Sequence, residues 1–335
     1  MDLRVGVIGT GSIGEGHVRR IAEVIAGAEV IAVNDINAES ANRVAKQYGV
    51  RIEPSAHSLI NADDVDAIII ASWDPTHEEY TIESIKAGKY VFCEKPLATS
   101  AQGCKNIMAA EVAGGKRLLQ VGFMRRYDES YRQLKKAVDD GRIGAPLIVY
   151  CQHRVKEPGG AKHTTDTLIK RAMVHEFDIV RWMLRDEYES AQFIAPKSTR
   201  HANEDLMDPQ KVLLRTKSGV VIDLEIFMNC RYGYDVQCEI VGEDGTIRLP
   251  DPANIIVRQN GANSCEIYPS WKNRFMAAYE VEIREWVESI KAGKLMGPTA
   301  WDAYITCAVA DACAQSREEN RIIPIVLDEC PEMYR

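Results

Sequence analysis

The chain has 335 residues, 46% of them hydrophobic, and its 41 Lys and Arg against 49 Asp and Glu give a net charge of −8. That length exceeds what one core usually supports, so two domains are expected. The acidic balance lacks the clustered positive charge that nucleic acid requires, and no apolar run approaches the ~20 residues that span a bilayer. Nine scattered cysteines include no C-x-x-C pair, and seven histidines show no H-x-x-x-H spacing. The pattern fits reduced thiols, with no disulfide frame and no metal site. Met1 leads straight into an apolar strand without the regions of a secretory leader, so a cytoplasmic location is expected.

The first strand, Leu3 to Ile8, runs into Gly9-Thr10-Gly11-Ser12-Ile13-Gly14, which opens a helix to about Ile25. In this pattern Gly9 permits a tight turn, Gly11 lets a pyrophosphate approach the backbone, and Gly14 lets helix and strand pack closely. Backbone N–H groups of Ser12, Ile13 and Gly14 at the positive end of the helix favour a phosphate. A second apolar strand, Val30 to Asn34, ends in Asp35. A carboxylate there accepts hydrogen bonds from ribose hydroxyls and repels a 2′-phosphate, which predicts NAD over NADP.

Helix Glu39 to Tyr48 and a short strand near Val50 to Ile52 follow, then a buried strand over Asp64 to Ser72. Its carboxyl end runs into Trp73-Asp74-Pro75-Thr76-His77, a helix start by its proline. Ser72, Trp73 and His77 are expected as cofactor neighbours at the carboxyl edge of the sheet; His77 alternatively bonds the backbone at the helix start. Strand Tyr90 to Cys93 delivers Glu94-Lys95-Pro96 to the same edge. Lys95 can stabilise an alkoxide, contact a pyrophosphate or stay solvated, and Glu94 is either a cofactor contact or its ion partner. Helix Thr99 to Gly114 and a strand over Lys116 to Phe123 complete six strands alternating with helices, the rhythm of a doubly wound parallel sheet.

Arg125 and Arg126 then stand where they can meet a polar substrate or make helix-start salt bridges. Beyond a helix over Asp128 to Gly141 the pattern changes to a strand over Leu147 to Val155, a helix over Val174 to Leu184, and two hairpins turning at Lys217-Ser218-Gly219 and Gly242 to Gly245. Two helices near Ala277–Ala292 and Thr299–Gln315 close the chain. The expected class is α/β, with a Rossmann domain over 1–123 and, over 124–335, an α/β domain with a large, open, mostly antiparallel sheet. Such a sheet commonly buries one face against a second copy, so a homo-oligomer is expected.

Together Gly9 to Gly14, Glu94-Lys95-Pro96, Gly122 to Asp128 and His175-Glu176-Phe177-Asp178 resemble the Gfo/Idh/MocA oxidoreductases. Within them, the run Phe123 to Asp128 and the segment Asn229 to Asp235 resemble the inositol dehydrogenase group. The resemblance covers essentially the whole chain. It implies NAD-dependent, metal-free oxidation of a ring secondary alcohol and assembly into dimers or tetramers through the open sheet. The family's catalytic Lys matches Lys95 and its catalytic His matches His175; substrate-lining positions match Arg125, His153 and Tyr234. One departure stands out: relatives commonly carry Asp four residues before the His, where this chain has Arg171. Arg171 is carried as a substrate-site residue, and Asp178 or the more distant Asp166 as the acid that orients His175. An isolated His175 reads as a core histidine; with the resemblance it reads as the general base. Two alternatives stay open: an NAD(P)-dependent dehydrogenase of a pyranose sugar, and a non-catalytic NAD-binding regulator.

Overall fold

The structure is a computed structural model that describes residues 1–156, 163–251 and 255–335. It divides into two compact units, one formed by Met1–Phe123, Tyr279–Cys307 and Leu327–Arg335, the other by Met124–Ala278 and Ala308–Val326. The expected continuous second part, 124–335, therefore differs from the compact units, which are discontinuous in sequence.

The first unit alternates strands and helices: β1 (Leu3–Ile8), α1 (Ser12–Glu23), β2 (Ala28–Asn34), α2 (Ala38–Tyr48), β3 (Arg51–Ile52), α3 (Ala56–Ile60), β4 (Ala67–Ile70), α4 (His77–Lys86), β5 (Tyr90–Glu94), α5 (Ala101–Gly114) and β6 (Leu119–Gly122). Its strands form one six-stranded sheet in the order β3-β2-β1-β4-β5-β6, every pair parallel. Order reverses between β1 and β4, the switch point where the carboxyl ends of strands open a ligand crevice. Val5 and Val7 of β1, Ile68 and Ile69 of β4, and Val91 and Phe92 of β5 are fully buried. Strands covered on both faces explain why they read as continuous apolar runs. Ile283, Trp286, Val287 and Ile290, from far along the chain, sit in the same core as Val5, Val7 and Phe92. That apolar face draws residues 279–307 into the first unit.

The second unit holds α6 (Glu129–Asp139), β7 (Pro146–Lys156), α7 (Thr165–Arg171), α8 (Val174–Leu184), β8 (Tyr188–Ile194), β9 (Gln210–Thr216), β10 (Val221–Phe227), β11 (Asn229–Gly242), β12 (Thr246–Arg248), β13 (Ile256–Gln259) and β14 (Ala262–Cys265). Helices α9 (Trp271–Lys291) and α10 (Ala300–Glu319) each contribute one end to it, and β15 (Ile323–Pro324) completes it. Seven strands pair in the order β12-β11-β7-β10-β9-β8-β15. All pairs are antiparallel except β7 with β10, which is the expected mostly antiparallel sheet. Along β10, Ile222, Leu224 and Ile226 are fully buried or nearly so, while Val221 faces solvent. This period-two alternation marks a sheet with one covered face. Among the described residues no helix is long and apolar enough to cross a membrane, and no group of His, Cys, Asp or Glu is placed to hold a metal.

Candidate active site

The glycine loop shows three different uses of one residue type. Gly9 has φ +92°, and a Cβ there would lie 2.5 Å from the Ala71 carbonyl oxygen, so only glycine fits the turn. A Cβ on Gly14 would lie 1.8 Å from the Gly9 carbonyl oxygen, which fixes the close packing of α1 on β1. Gly11 differs from both. It is exposed, with φ −68°, and a Cβ there would meet nothing within 4 Å. No side chain caps the start of α1, whereas Asn37 caps α2 and Ser100 caps α5. The cradle at Gly11 and the uncapped N–H groups, at the positive end of the dipole, fit a pyrophosphate.

Asp35, half-buried at the end of β2, is pinned to this loop. Its Oδ2 accepts from the Thr10 N–H at 2.6 Å and the Thr10 hydroxyl at 3.0 Å, and its Oδ1 accepts from the Asn37 N–H at 2.8 Å. A carboxylate offers about four lone-pair sites, so Oδ1 keeps capacity for a ribose hydroxyl. Thr10 thus couples the glycine loop to Asp35, a link the spacing of Gly9, Gly11 and Gly14 does not disclose.

At the carboxyl end of β4, Trp73 is exposed and Ser72 is half-buried, its hydroxyl 2.7 Å from that of Thr76. His77 is buried. Its Nδ1 lies 2.8 Å from the Pro96 carbonyl oxygen and its Nε2 lies 3.1 Å from that of Ser72. Only an imidazolium donates from both nitrogens. Burial by itself would push the His77 pKa down, but Cys93 and the two carbonyls outweigh it and raise it to about 9. His77 therefore takes the backbone-bonding alternative of the sequence reading, and it ties the Ser72 loop to the turn that follows Lys95.

Lys95 is half-buried, one residue past β5, before a cis bond to Pro96. Glu94 is buried, and its Oε1 meets Nε2 of the buried His17 at 2.8 Å while its Oε2 accepts from the Lys95 N–H at 3.3 Å. Burial pushes the His17 pKa down against the pull of Glu94, and His17 holds the Glu94 carboxyl below its ordinary range despite burial. A neutral imidazole donating from Nε2 satisfies Glu94 and leaves only a lone pair on Nδ1, which has no hydrogen-bond partner. Glu94 thus holds the peptide of Lys95 on one side, and His77 holds Pro96 on the other. Sequence reasoning missed His17; the signal available was its place on the inner face of α1, three residues after Gly14.

In the second unit the first turn of α8 carries His175 and Glu176, both buried. The inward alternation of β7 brings up His153, and β11 brings Tyr234, diagonal to it in the ladder. The His153 and Tyr234 rings meet edge-on at 5.8 Å, and the His153 and His175 rings at 6.5 Å. Arg125, 1% exposed, forms a buried ion pair with Glu176, and Nδ1 of His153 lies 3.1 Å from Glu176 Oε1. Burial would push the Glu176 carboxyl up; Arg125 and His153 outweigh it and hold it at about 2. Burial raises the Tyr234 phenol to about 12, against the opposing charge of Arg125. Arg125, expected against substrate, is thus engaged by Glu176, a residue the sequence reading assigned no role.

The acids weighed as orienters of His175 are both held by arginines. Asp178 receives Arg126 at 2.9 Å from Nε, and Asp166 receives Arg317 at 2.6 Å. Arg171, at the end of α7, is exposed.

A family model described as an oxidoreductase family with an NAD-binding Rossmann fold matches residues 3–123, and its C-terminal alpha/beta domain matches residues 135–326. The chain is 50% identical over 337 residues to an inositol 2-dehydrogenase of Klebsiella pneumoniae strain 342, covering 100% of both proteins. It is 51% identical over 336 residues to one of Azotobacter vinelandii, covering 100% of this chain and 99% of that protein. A crystal structure of myo-inositol dehydrogenase from Lactobacillus casei in complex with NAD(H) and myo-inositol is similar at TM-score 0.97 and 36% identity, covering 100% of both chains. With the parallel sheet, the glycine loop and Asp35, these matches show that the chain belongs to the Gfo/Idh/MocA oxidoreductases and that its first part is an NAD-binding Rossmann domain.

Proposed function

We propose that this chain oxidises a ring secondary alcohol of an inositol to the keto-inositol, with NAD as hydride acceptor. The similarity over full length to proteins named inositol 2-dehydrogenase carries the reading. NAD, when bound, takes the hydride from the carbinol carbon. The protein holds the dinucleotide through the Gly11 cradle and Asp35. The reading requires Lys95 and His175 to act on the same hydroxyl: Lys95 donates to its oxygen and stabilises the developing alkoxide, and His175 accepts the proton, as an imidazole can near neutral pH. The held turn at Glu94-Lys95-Pro96 supports a positioned Lys95. Tyr234 and His153 line the polyol site in this reading, with Arg171 near its edge.

The same reading makes 124–335 the substrate-binding and oligomerising part of a cytoplasmic homo-oligomer, a tetramer or dimer. Supporting the oligomer, Leu147, Tyr150, Val221 and Tyr232 are exposed apolar side chains on β7, β10 and β11 of the open sheet. Light scattering of the purified protein tests it, and a monomer refutes it.

NADH absorbance is followed with inositol stereoisomers, pyranose sugars and both cofactors in parallel. Fastest turnover with an inositol and NAD is expected. Faster turnover with a pyranose overturns the substrate, and NAD binding without turnover of any polyol overturns the enzyme.

A further inference from the structure

Glu176 and Arg125 both address Nδ1 of His153. Glu176 Oε1 is 3.1 Å from that nitrogen, and Arg125 Nη2 is 3.3 Å from it. A guanidinium only donates and a carboxylate only accepts, so the two contacts demand opposite tautomers. Glu176 is ionised, buried and nearer, and an anion facing an imidazole lone pair inside the protein costs more than a guanidinium edge facing an N–H. The proton therefore sits on Nδ1, which leaves Nε2 as the ring nitrogen that can offer a lone pair. Among the described residues no hydrogen bond reaches that Nε2, and it is not a sealed, orphaned atom. An imidazole whose first nitrogen is fixed by a carboxylate has the second nitrogen set for an incoming donor.

We propose that Glu176 is a positioning residue that makes Nε2 of His153 an acceptor for one substrate hydroxyl, with Arg125 holding Glu176 in place. His153 then requires a hydroxyl at that ring position and discriminates against an analogue that has lost it. Glu176 touches no substrate itself. Glu176 addresses His153 by direct contact, and Asp178 and Asp166 carry arginines.

The inference rests on the polyol dehydrogenase reading, and wild-type turnover of the parent inositol tests that reading by itself. A series of monodeoxy-inositols tests the acceptor, by kcat/KM in the wild type, in His153→Asn and in Glu176→Gln. Asn keeps a donor toward Glu176 and removes the acceptor at Nε2; Gln removes the charge that fixes the tautomer. In the wild type one analogue is expected to lose at least ~10²-fold beyond the others, the scale on which a built hydrogen-bonding site rejects a missing group. In both variants that extra loss should shrink below about 10-fold, because the acceptor it reports is gone. A purely structural role lowers every substrate by one common factor and leaves the ratios unchanged. His153→Asn keeps the Arg125–Glu176 pair intact and decides the matter if Glu176→Gln fails to fold. Unchanged ratios in His153→Asn, or a wild type that rejects none of the analogues, overturn the proposal.

Discussion

Gly11→Ala separates cofactor binding from folding more sharply than any other change in the glycine loop. The backbone there has φ −68°, which alanine adopts freely, and the added Cβ meets no protein atom within 4 Å. Replacing glycine at a compatible conformation gains about 0.4–1 kcal/mol through the unfolded chain. Alanine is a poorer helix cap than glycine by an amount on the order of 1 kcal/mol. The two nearly cancel, so the melting temperature without cofactor should move by no more than about 3 °C. In the proposed placement, however, the pyrophosphate occupies the same space as the methyl group. Overpacking costs about 1–3 kcal/mol, which weakens NAD binding by roughly 5- to 150-fold. Calorimetric titration with NAD and thermal melts with and without it give both numbers from one preparation. At a concentration 100 times its Kd, NAD should stabilise the wild type by about 2.7 kcal/mol, and at that same concentration the variant should lose roughly 1–2.4 kcal/mol of the gain. A variant with unchanged melting temperature and wild-type affinity would refute the placement of the pyrophosphate at Gly11. Gly14→Ala is the contrasting control, since its Cβ would sit 1.8 Å from a backbone oxygen and should compromise the fold itself.

Lys95→Ala should cut turnover by ~10²-fold or more while leaving the melting temperature close to wild type; steady-state NADH formation and a thermal melt check both halves. Asp35→Asn should narrow the preference for NAD over NADP by at least ~10-fold, read from kcat/KM for the two cofactors, because it removes the charge that repels a 2′-phosphate. His77 has its folded pKa raised to about 9, so its contribution to stability is complete below the unfolded value near 6.5 and is lost as pH rises through about 9. The loss is on the order of 3 kcal/mol; thermal melts from neutral to alkaline pH should show the decline in the wild type and a flatter profile in His77→Gln.

The Rossmann half was legible because its signals are local. Strands covered on both faces must be apolar throughout, and Gly9, Gly11 and Gly14 lie within six residues of one another. In the second half, Val174–Leu184 stands out as an amphipathic run with the bounds the helix has, and the turns at Lys217 to Gly219 and Gly242 to Gly245 announce their hairpins. β8 (Tyr188–Ile194) and the exposed pair β13 and β14 leave little trace in the sequence, since short strands without a marked turn carry little pattern. The return of residues 279–307 to the first core was equally hidden. The apolar face of α9 shows that the helix packs, while its choice of neighbour depends on contacts more than 150 residues away in sequence.

Charge states are the part of the site that sequence leaves most open, because they follow from partners met only on folding. His17 and His77 both lie in the first unit, both are buried, and both brace the Glu94-Lys95-Pro96 turn, yet they take opposite forms. His17 meets a single carboxylate and stays neutral, keeping Glu94 as the anion beside the Lys95 peptide. His77 meets two carbonyl oxygens, which accept from both its nitrogens, and carries the proton. In the second unit the same logic assigns roles among acids that the sequence lists as equals. Asp178 and Asp166 lie close to His175 in the chain but are claimed by Arg126 and Arg317, whereas Glu176, adjacent to His175 and facing along a different side of α8, reaches back to His153 on β7. At position 171 this chain carries Arg171, exposed at the end of α7, and Glu176 is the buried carboxylate beside Arg125 and His153. Glu176 contacts the imidazole of His153, so under the proposed reading substitutions at Glu176 should register first in the recognition of substrate hydroxyls.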